Sequence, residues 1–154
     1  AIQANDLVGR KTARDGGQVA QAIAAQIEKT EGELAKGSDY AKALGKRLAA
    51  ARKAFLDVVA FVVKESKASP NAVFAGSVPY LLLAGNLVAG WQMARSLLAA
   101  ERLLAANDGD AGFLNAKIAT ARFYAEHLLS RAPGTRDAIV DGADSVTAMP
   151  IEAF

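Results

Sequence analysis

Residues 78–104 read VPYLLLAGNLVAGWQMARSLLAAERLL, and the fold turns on how this stretch is covered. It is the most apolar part of the chain, and it carries no charge from Val78 to Ala94. That run approaches the ~20 apolar residues needed to span a bilayer. Pro79, Asn86 and Gln92 interrupt it, and Arg95 ends it. Over its first half, apolar side chains point in every direction, which predicts a helix buried on nearly every side. Ala84, Gly85, Ala89 and Gly90 are small enough to let a neighbouring helix come close. Glycine costs ~1 kcal/mol relative to alanine in a helix interior, so close packing is the expected compensation. Arg95, Glu101 and Arg102 carry the second half towards solvent. The stretch reads as the central helix of a bundle, with no membrane span.

The rest of the chain supplies the cover. The 154 residues suit one domain with a core that needs no staples, and there is no cysteine. Alanine and leucine dominate, a composition that favours helix. Asn5 to Lys11 looks like the end of a helix, broken by Arg14-Asp15-Gly16-Gly17, with Asp15 able to cap the next helix. A first long helix is predicted from about Gly17 to Lys36. Its stripe is Val19, Ile23, Ile27, Thr30 and Leu34, and Gly37 serves as its C-terminal glycine. A second runs from about Asp39 to Lys67, after a Ser38 or Asp39 cap. Leu44, Leu48, Ala51, Phe55, Val58 and Val62 cluster on one side, and Lys42, Lys46, Lys53, Asp57 and Lys64 on the other. Ser69 and Pro70 open a short piece that ends near Gly76. After the apolar helix, Asn107 to Gly112 makes a turn. A fourth helix runs from about Ala111 to Arg131 on a core stripe of Leu114, Ile118, Ala121, Ala125 and Leu128.

That fourth helix has a second stripe, roughly opposite the first: Phe113, Ala116, Thr120, Phe123 and His127, bordered by Tyr124. A helix with two such faces is expected to be covered on both, so these six residues are the candidate contact with another domain or subunit. Pro133-Gly134 is expected to end the helix, and Thr135 to cap a short one over Arg136 to Asp141. The remainder has no period and reads as an extended tail, strapped to the surface by Met149, Ile151 and Phe154. The predicted fold is all-α: an antiparallel, up-down four-helix bundle with a short C-terminal helix and an extended tail.

Most chemistry is excluded by what the sequence lacks. Eighteen basic residues against sixteen acidic ones, well mixed, leave a net charge of only +2, and 6% aromatic residues offer few stacking platforms. Nucleic acid is therefore not expected as a partner. The lysine row on the second helix reads as a solvated face, with an acidic partner or phosphate as the alternative. His127 is the only histidine, so a zinc site would need three carboxylates. Glu126-His127 is adjacent rather than metal-spaced, and no Glu-x-x-His motif is present. The Asn107 turn resembles the opening of a calcium loop, but Phe113 and Ala119 stand where glycine and glutamate are needed. There is no Gly-x-Ser-x-Gly elbow. No lysine follows Gly90 to complete a phosphate loop. Glu28 and Glu31 share a face without an apolar pocket to raise a pKa, and Trp91 reads as core. No catalytic, cofactor-binding or metal residue is therefore assigned.

Two stretches carry a family resemblance. Ile2-Gln3 with Asn5, Asp6, Leu7, Val8, Gly9, Arg10 and Lys11 resembles the end of an acyl-CoA dehydrogenase. In that family a Tyr-Glu-Gly-Thr segment, whose glutamate is the catalytic base, precedes an Ile-Gln pair. Ala1 stands where many members carry a flavin-contacting glutamine. From about Gly17 onward the chain is similar to the extra, acetyl-CoA dehydrogenase-like C-terminal domain of large bacterial acyl-CoA dehydrogenases. The likeness lies in PYLLLAGNLVAGWQMAR (Pro79 to Arg95), in Lys117, Ala121, Phe123 and Tyr124, and in Pro150 to Phe154.

The resemblance implies a cytoplasmic FAD enzyme that dehydrogenates an acyl-CoA between Cα and Cβ and passes electrons to an electron-transfer flavoprotein. It also implies an upstream dehydrogenase domain and a homo-oligomer. The catalytic base is then expected upstream of Ala1, and the chain, which has no initiator Met and no signal-peptide apolar region, reads as an inactive piece of a longer polypeptide. On this reading residues 1–13 end the dehydrogenase domain or link to it. Residues 14–132 form the bundle, and residues 133–154 are an extension packed on it. The alternatives are a module that binds an apolar ligand near Gly85 and Gly90, and a free-standing helical interaction protein.

Overall fold

A computed structural model describes residues 1–153, apart from the side chain of Thr147. All regular elements among them are helical. Helix α1 (Ile2–Asp6) runs on into a π-helical segment, Leu7–Ala13. There follow α2 (Gln18–Leu34), α3 (Asp39–Glu65), α4 (Pro70–Ala75), α5 (Ser77–Ala105), α6 (Ala111–His127) and α7 (Ala132–Val140). No described helix is long and apolar enough to cross a membrane.

Short connections turn each long helix back beside its predecessor. Gly17 meets Val59, Glu31 meets Arg52 and Leu34 meets Gly45, so residue numbers rise on α2 as they fall on α3. Phe55 stacks on Tyr80 at 5.9 Å while Ser38 bonds Glu101, which sets α3 antiparallel to α5 in the same way. Helices α3 and α5 touch each other, and α2 and α6 pack on both from opposite flanks. The up-down four-helix bundle is therefore present, with α3 and α5 as its inner pair. Its core is built from Ile27 and Leu34 of α2, Leu44 to Val62 of α3, Tyr80 to Leu97 of α5, and Ala121 and Ala125 of α6.

Polar contacts fix the register. The Arg52 guanidinium makes two bonds to Glu31, of 2.8 and 2.9 Å, and a third to Glu28 of 3.1 Å. The two glutamates that share a face of α2 therefore serve as a clamp on α3, with Glu31 and Arg52 largely buried. Trp91 Nε1 donates to Thr30 Oγ1 at 2.8 Å and ties α5 to α2. Thr12 and Tyr80 hydroxyls bond each other at 2.8 Å, both buried, and Val8 is buried as well. Residues 1–13 thus lie packed on the bundle. The caps follow the expected chemistry at three places. Asp15 accepts from the Gly17 and Val19 amides, Ser38 from Ala41, and Asp110 from Phe113.

Several expectations change. Helix α5 is not buried on nearly every side. Its inner line of Tyr80, Leu83, Leu87, Gly90, Ala94, Leu97 and Ala100 is buried, while Val78, Leu82 and Val88 face out. Three covering helices do not enclose a fourth on all sides. Val19, at the first turn of α2, is 62% exposed, because the core begins deeper along that helix. The fourth helix stops at His127, gives way to a 3₁₀ turn at Leu129–Arg131, and is succeeded by α7. Pro133 opens α7 instead of closing α6, since a first-turn residue has no intrahelical N–H bond to lose. Thr135 then lies inside α7, where its hydroxyl bonds the Arg131 carbonyl. Ser69 makes no side-chain cap.

The C-terminal segment departs too. It forms 3₁₀ turns at Ala143–Thr147 and Ile151–Ala153, and Met149 and Ile151 are 60% and 81% exposed. These two do not strap the tail down. Phe154 lies outside the described residues.

The glycines divide by what surrounds them. Gly37 has an ordinary backbone; its need is space, because a Cβ there would lie 2.7 Å from that of Ala41. Gly90 faces Leu129, whose side chain would be 2.6 to 3.0 Å from a new Cβ. Gly85 meets nothing within 4 Å, so the small-residue patch is a packing contact at one end only. Gly90→Ala should therefore destabilise by ~1–3 kcal/mol through overpacking. Gly85→Ala should stabilise by up to ~1 kcal/mol. Urea unfolding of the two variants checks the opposite signs, and Gly90→Ala with Leu129→Ala should cost less than the sum of the two singly.

Tyr80→Phe and Thr12→Val each strand one buried hydroxyl and should each cost ~1–3 kcal/mol, with the double variant again below the sum. Burial pushes the Tyr80 phenol above its ordinary 10.0, partly offset by the Thr12 bond. Its contribution is complete below the unfolded-state value and is lost as pH rises through the folded one. Unfolding followed above pH ~10 should show this alkaline loss in the parent and less of it in Tyr80→Phe.

Candidate interaction face

The second stripe of α6 is where an uncovered surface was expected. Phe113 and Phe123 are 59% and 58% exposed, and Ala116, Thr120 and His127 are exposed with them. Tyr124 is half-buried at the border. The opposite stripe, Leu114, Ala121 and Ala125, is buried against α3 and α5. The cause is the position of α6 on a flank of the inner pair, which leaves its far side without a neighbouring helix. The six residues lie together as one helix face with one edge turned inward.

Local contacts order this face. Phe123 and His127 stack at 4.5 Å, one turn apart. The Lys117 ammonium lies 4.9 Å from the centre of the Phe113 ring, and Arg122 the same distance from Tyr40 of α3. Thr120 spends its hydroxyl on the Ala116 carbonyl of its own helix. Tyr124 donates to the Asn86 carbonyl of α5 at 3.2 Å, and partial burial raises its pKa. The result is an aromatic surface with a cationic rim and few unspent polar groups.

Asn86 joins this face to a second one. Leu82 lies one turn before Asn86 on α5, and Val78 one turn before that; both are exposed, as is Gly85. The outer sides of α5 and α6 thus both expose apolar side chains, and the Tyr124–Asn86 bond joins the two helices between them. The α5 part escapes sequence reasoning because an all-round apolar helix carries no mark of which side will stay open. Large exposed apolar patches mark interaction sites in folded proteins.

Chemistry is sparse elsewhere. Among the described residues no three His, Asp or Glu side chains are placed to hold a metal ion. His127 is exposed and stacked, without a carboxylate partner among the described contacts. The left-handed glycines, Gly16, Gly17 and Gly109, sit in turns and form no phosphate cradle. An apolar hollow of about 130 Å³ lies between residues 7–12, α2, α3 and α5. Its volume is well below the ~300 Å³ at which pockets for drug-sized ligands begin.

The family described as acetyl-CoA dehydrogenase C-terminal like matches residues 17–150. A 3-methylmercaptopropionyl-CoA dehydrogenase of Ruegeria pomeroyi is 49% identical over 146 residues, covering 95% of this chain and 25% of the relative. A broad-specificity linear acyl-CoA dehydrogenase of Mycobacterium tuberculosis is 31% identical over 155 residues, covering 90% of this chain and 24% of the relative. The chain spans about a quarter of the length of the curated relatives it matches. With the match extending from the first turn of the bundle to Pro150, the chain belongs to the acetyl-CoA dehydrogenase C-terminal-like family.

Proposed function

We propose that this chain is the accessory C-terminal domain of an FAD-dependent acyl-CoA dehydrogenase, an enzyme that dehydrogenates an acyl-CoA thioester between Cα and Cβ. Its own task is packing. The outer face of α6, made of Phe113, Ala116, Thr120, Phe123, Tyr124 and His127, seats against the dehydrogenase domain or a second subunit. The observation that carries this reading is the exposure of two phenylalanines on one side of a helix whose other side already completes the core. Burying each such ring is worth ~1.5–3 kcal/mol, a gain this chain leaves untaken.

The flavin and the catalytic base belong to the dehydrogenase domain, upstream of Ala1. The whole enzyme is a homo-oligomer, works in the cytoplasm and delivers its electrons to an electron-transfer flavoprotein. Residues 1–13 end or follow the dehydrogenase domain, residues 14–132 are the bundle, and residues 133–154 are its extension. The buried Thr12–Tyr80 bond supports a firm junction at the first boundary.

Phe113→Glu and Phe123→Glu, made together in a full-length enzyme bearing this domain, should weaken its assembly, read as dissociation in sedimentation. In the 154-residue chain they should change stability by no more than ~0.5 kcal/mol, as for other surface substitutions. The chain alone should show no flavin absorbance after FAD addition and dialysis, and no acyl-CoA oxidation. Stoichiometric flavin on it would overturn the proposal.

A further inference from the structure

The hollow beside Tyr80 has a character of its own. Leu7, Ala20, Ile23, Phe55, Ala84 and Leu87 wall it, drawn from residues 7–12, α2, α3 and α5. Two of the polar groups that reach it, the Thr12 and Tyr80 hydroxyls, are buried and bonded to each other at 2.8 Å. That bond uses one of their two hydroxyl hydrogens and leaves the other without a partner among the described residues. The hollow opens to solvent past Val19 and Val88, but its lining is almost wholly apolar and offers water few partners. Its volume of about 130 Å³ is close to the ~150 Å³ that accepts benzene in an engineered protein cavity. Lys11 also lines the hollow, is exposed, and has no carboxylate within ion-pair distance among the described residues. Lys11 is the one charged residue in the lining.

We propose that this hollow binds a short aliphatic carboxylate, its hydrocarbon tail against Ile23, Phe55 and Leu87 and its head group on Lys11. The volume holds about four groups of water size, so the tail is a few carbons long. A cation would be repelled by Lys11. A strongly polar tail would lose its water and find at most one hydroxyl hydrogen in an otherwise apolar lining. The site is separate from the α5–α6 outer face and does not depend on the packing role proposed for it.

Heteronuclear NMR titration of the 154-residue chain with sodium pentanoate, and in parallel with pentanol, tests this. Saturable shifts should be confined to the methyls of Val19, Ile23, Leu87 and Val88, with pentanoate bound about two- to fivefold more tightly, as for an exposed ion pair. Lys11→Gln should abolish that difference and leave pentanol binding intact. Ala20→Leu should fill the hollow and remove both, with its Tm maintained or raised; Ala84→Leu serves if that variant does not fold. Shifts that do not saturate, shifts spread over other surfaces, or binding that persists in a folded, filled variant would overturn the site. Equal affinity for the two probes in the parent chain would overturn the assignment of the head group.

Discussion

The inner line of α5, from Tyr80 through Leu83, Leu87, Ala94 and Leu97 to Ala100, is the surface on which the other helices are arranged. At ~1.5–3 kcal/mol for each large side chain, leaving such a line in water would cost an amount comparable to the whole stability of a domain. Helix α3 meets it with Phe55 and the valines on its C-terminal side, α2 with Ile27 and Thr30, and α6 with Ala121 and Ala125. The small residues matter at the meeting points. Gly90 admits Leu129, and Ala94 and Ala100 are buried without adding bulk. Once α5 is covered on this line, the positions of the other three long helices are set.

The same constraint explains what stays open. A helix on the flank of an inner pair has one covered side, and both α2 and α6 are in that position. Helix α2 answers with a polar far side. Helix α6 keeps Phe113, Phe123 and His127 there, and α5 adds Val78 and Leu82. The difference between the two flanks is one of sequence, since the geometry treats them alike. It separates a polar flank from one that exposes aromatic and apolar side chains.

Electrostatic contacts decide register more than stability. The Arg52–Glu31–Glu28 group lies partly buried between α2 and α3. Burying such charges costs much of what their attraction returns. A slip of α2 along α3 that carried both glutamates past Arg52 would leave its guanidinium without a partner. Ser38 with Glu101 does the same work at the N-terminal end of α3, where a glycine at position 37 lets the loop close on α5. Together these contacts select one alignment from several that the apolar faces alone would permit.

Most of the fold was legible because helical periodicity is a local property. Leu44, Leu48, Ala51, Phe55, Val58 and Val62 sit on one side of α3 by spacing alone, and all are buried. The second stripe of α6 was legible for the same reason, and its members are exposed apart from the half-buried Tyr124. Local chemistry misled where two readings share one signal. Pro133 can follow a helix or open one, and only the 3₁₀ turn at Leu129–Arg131 decides between them. Sequence by itself determined the four long helices and which of their faces are apolar. Tertiary structure decided which side of α5 remains open, that Gly90 rather than Gly85 is a packing position, and that Lys11, Thr12, Ile23, Phe55 and Tyr80 border one hollow. Those outcomes depend on where distant segments meet, and a periodicity of 3.6 residues holds no information about the partner across the contact.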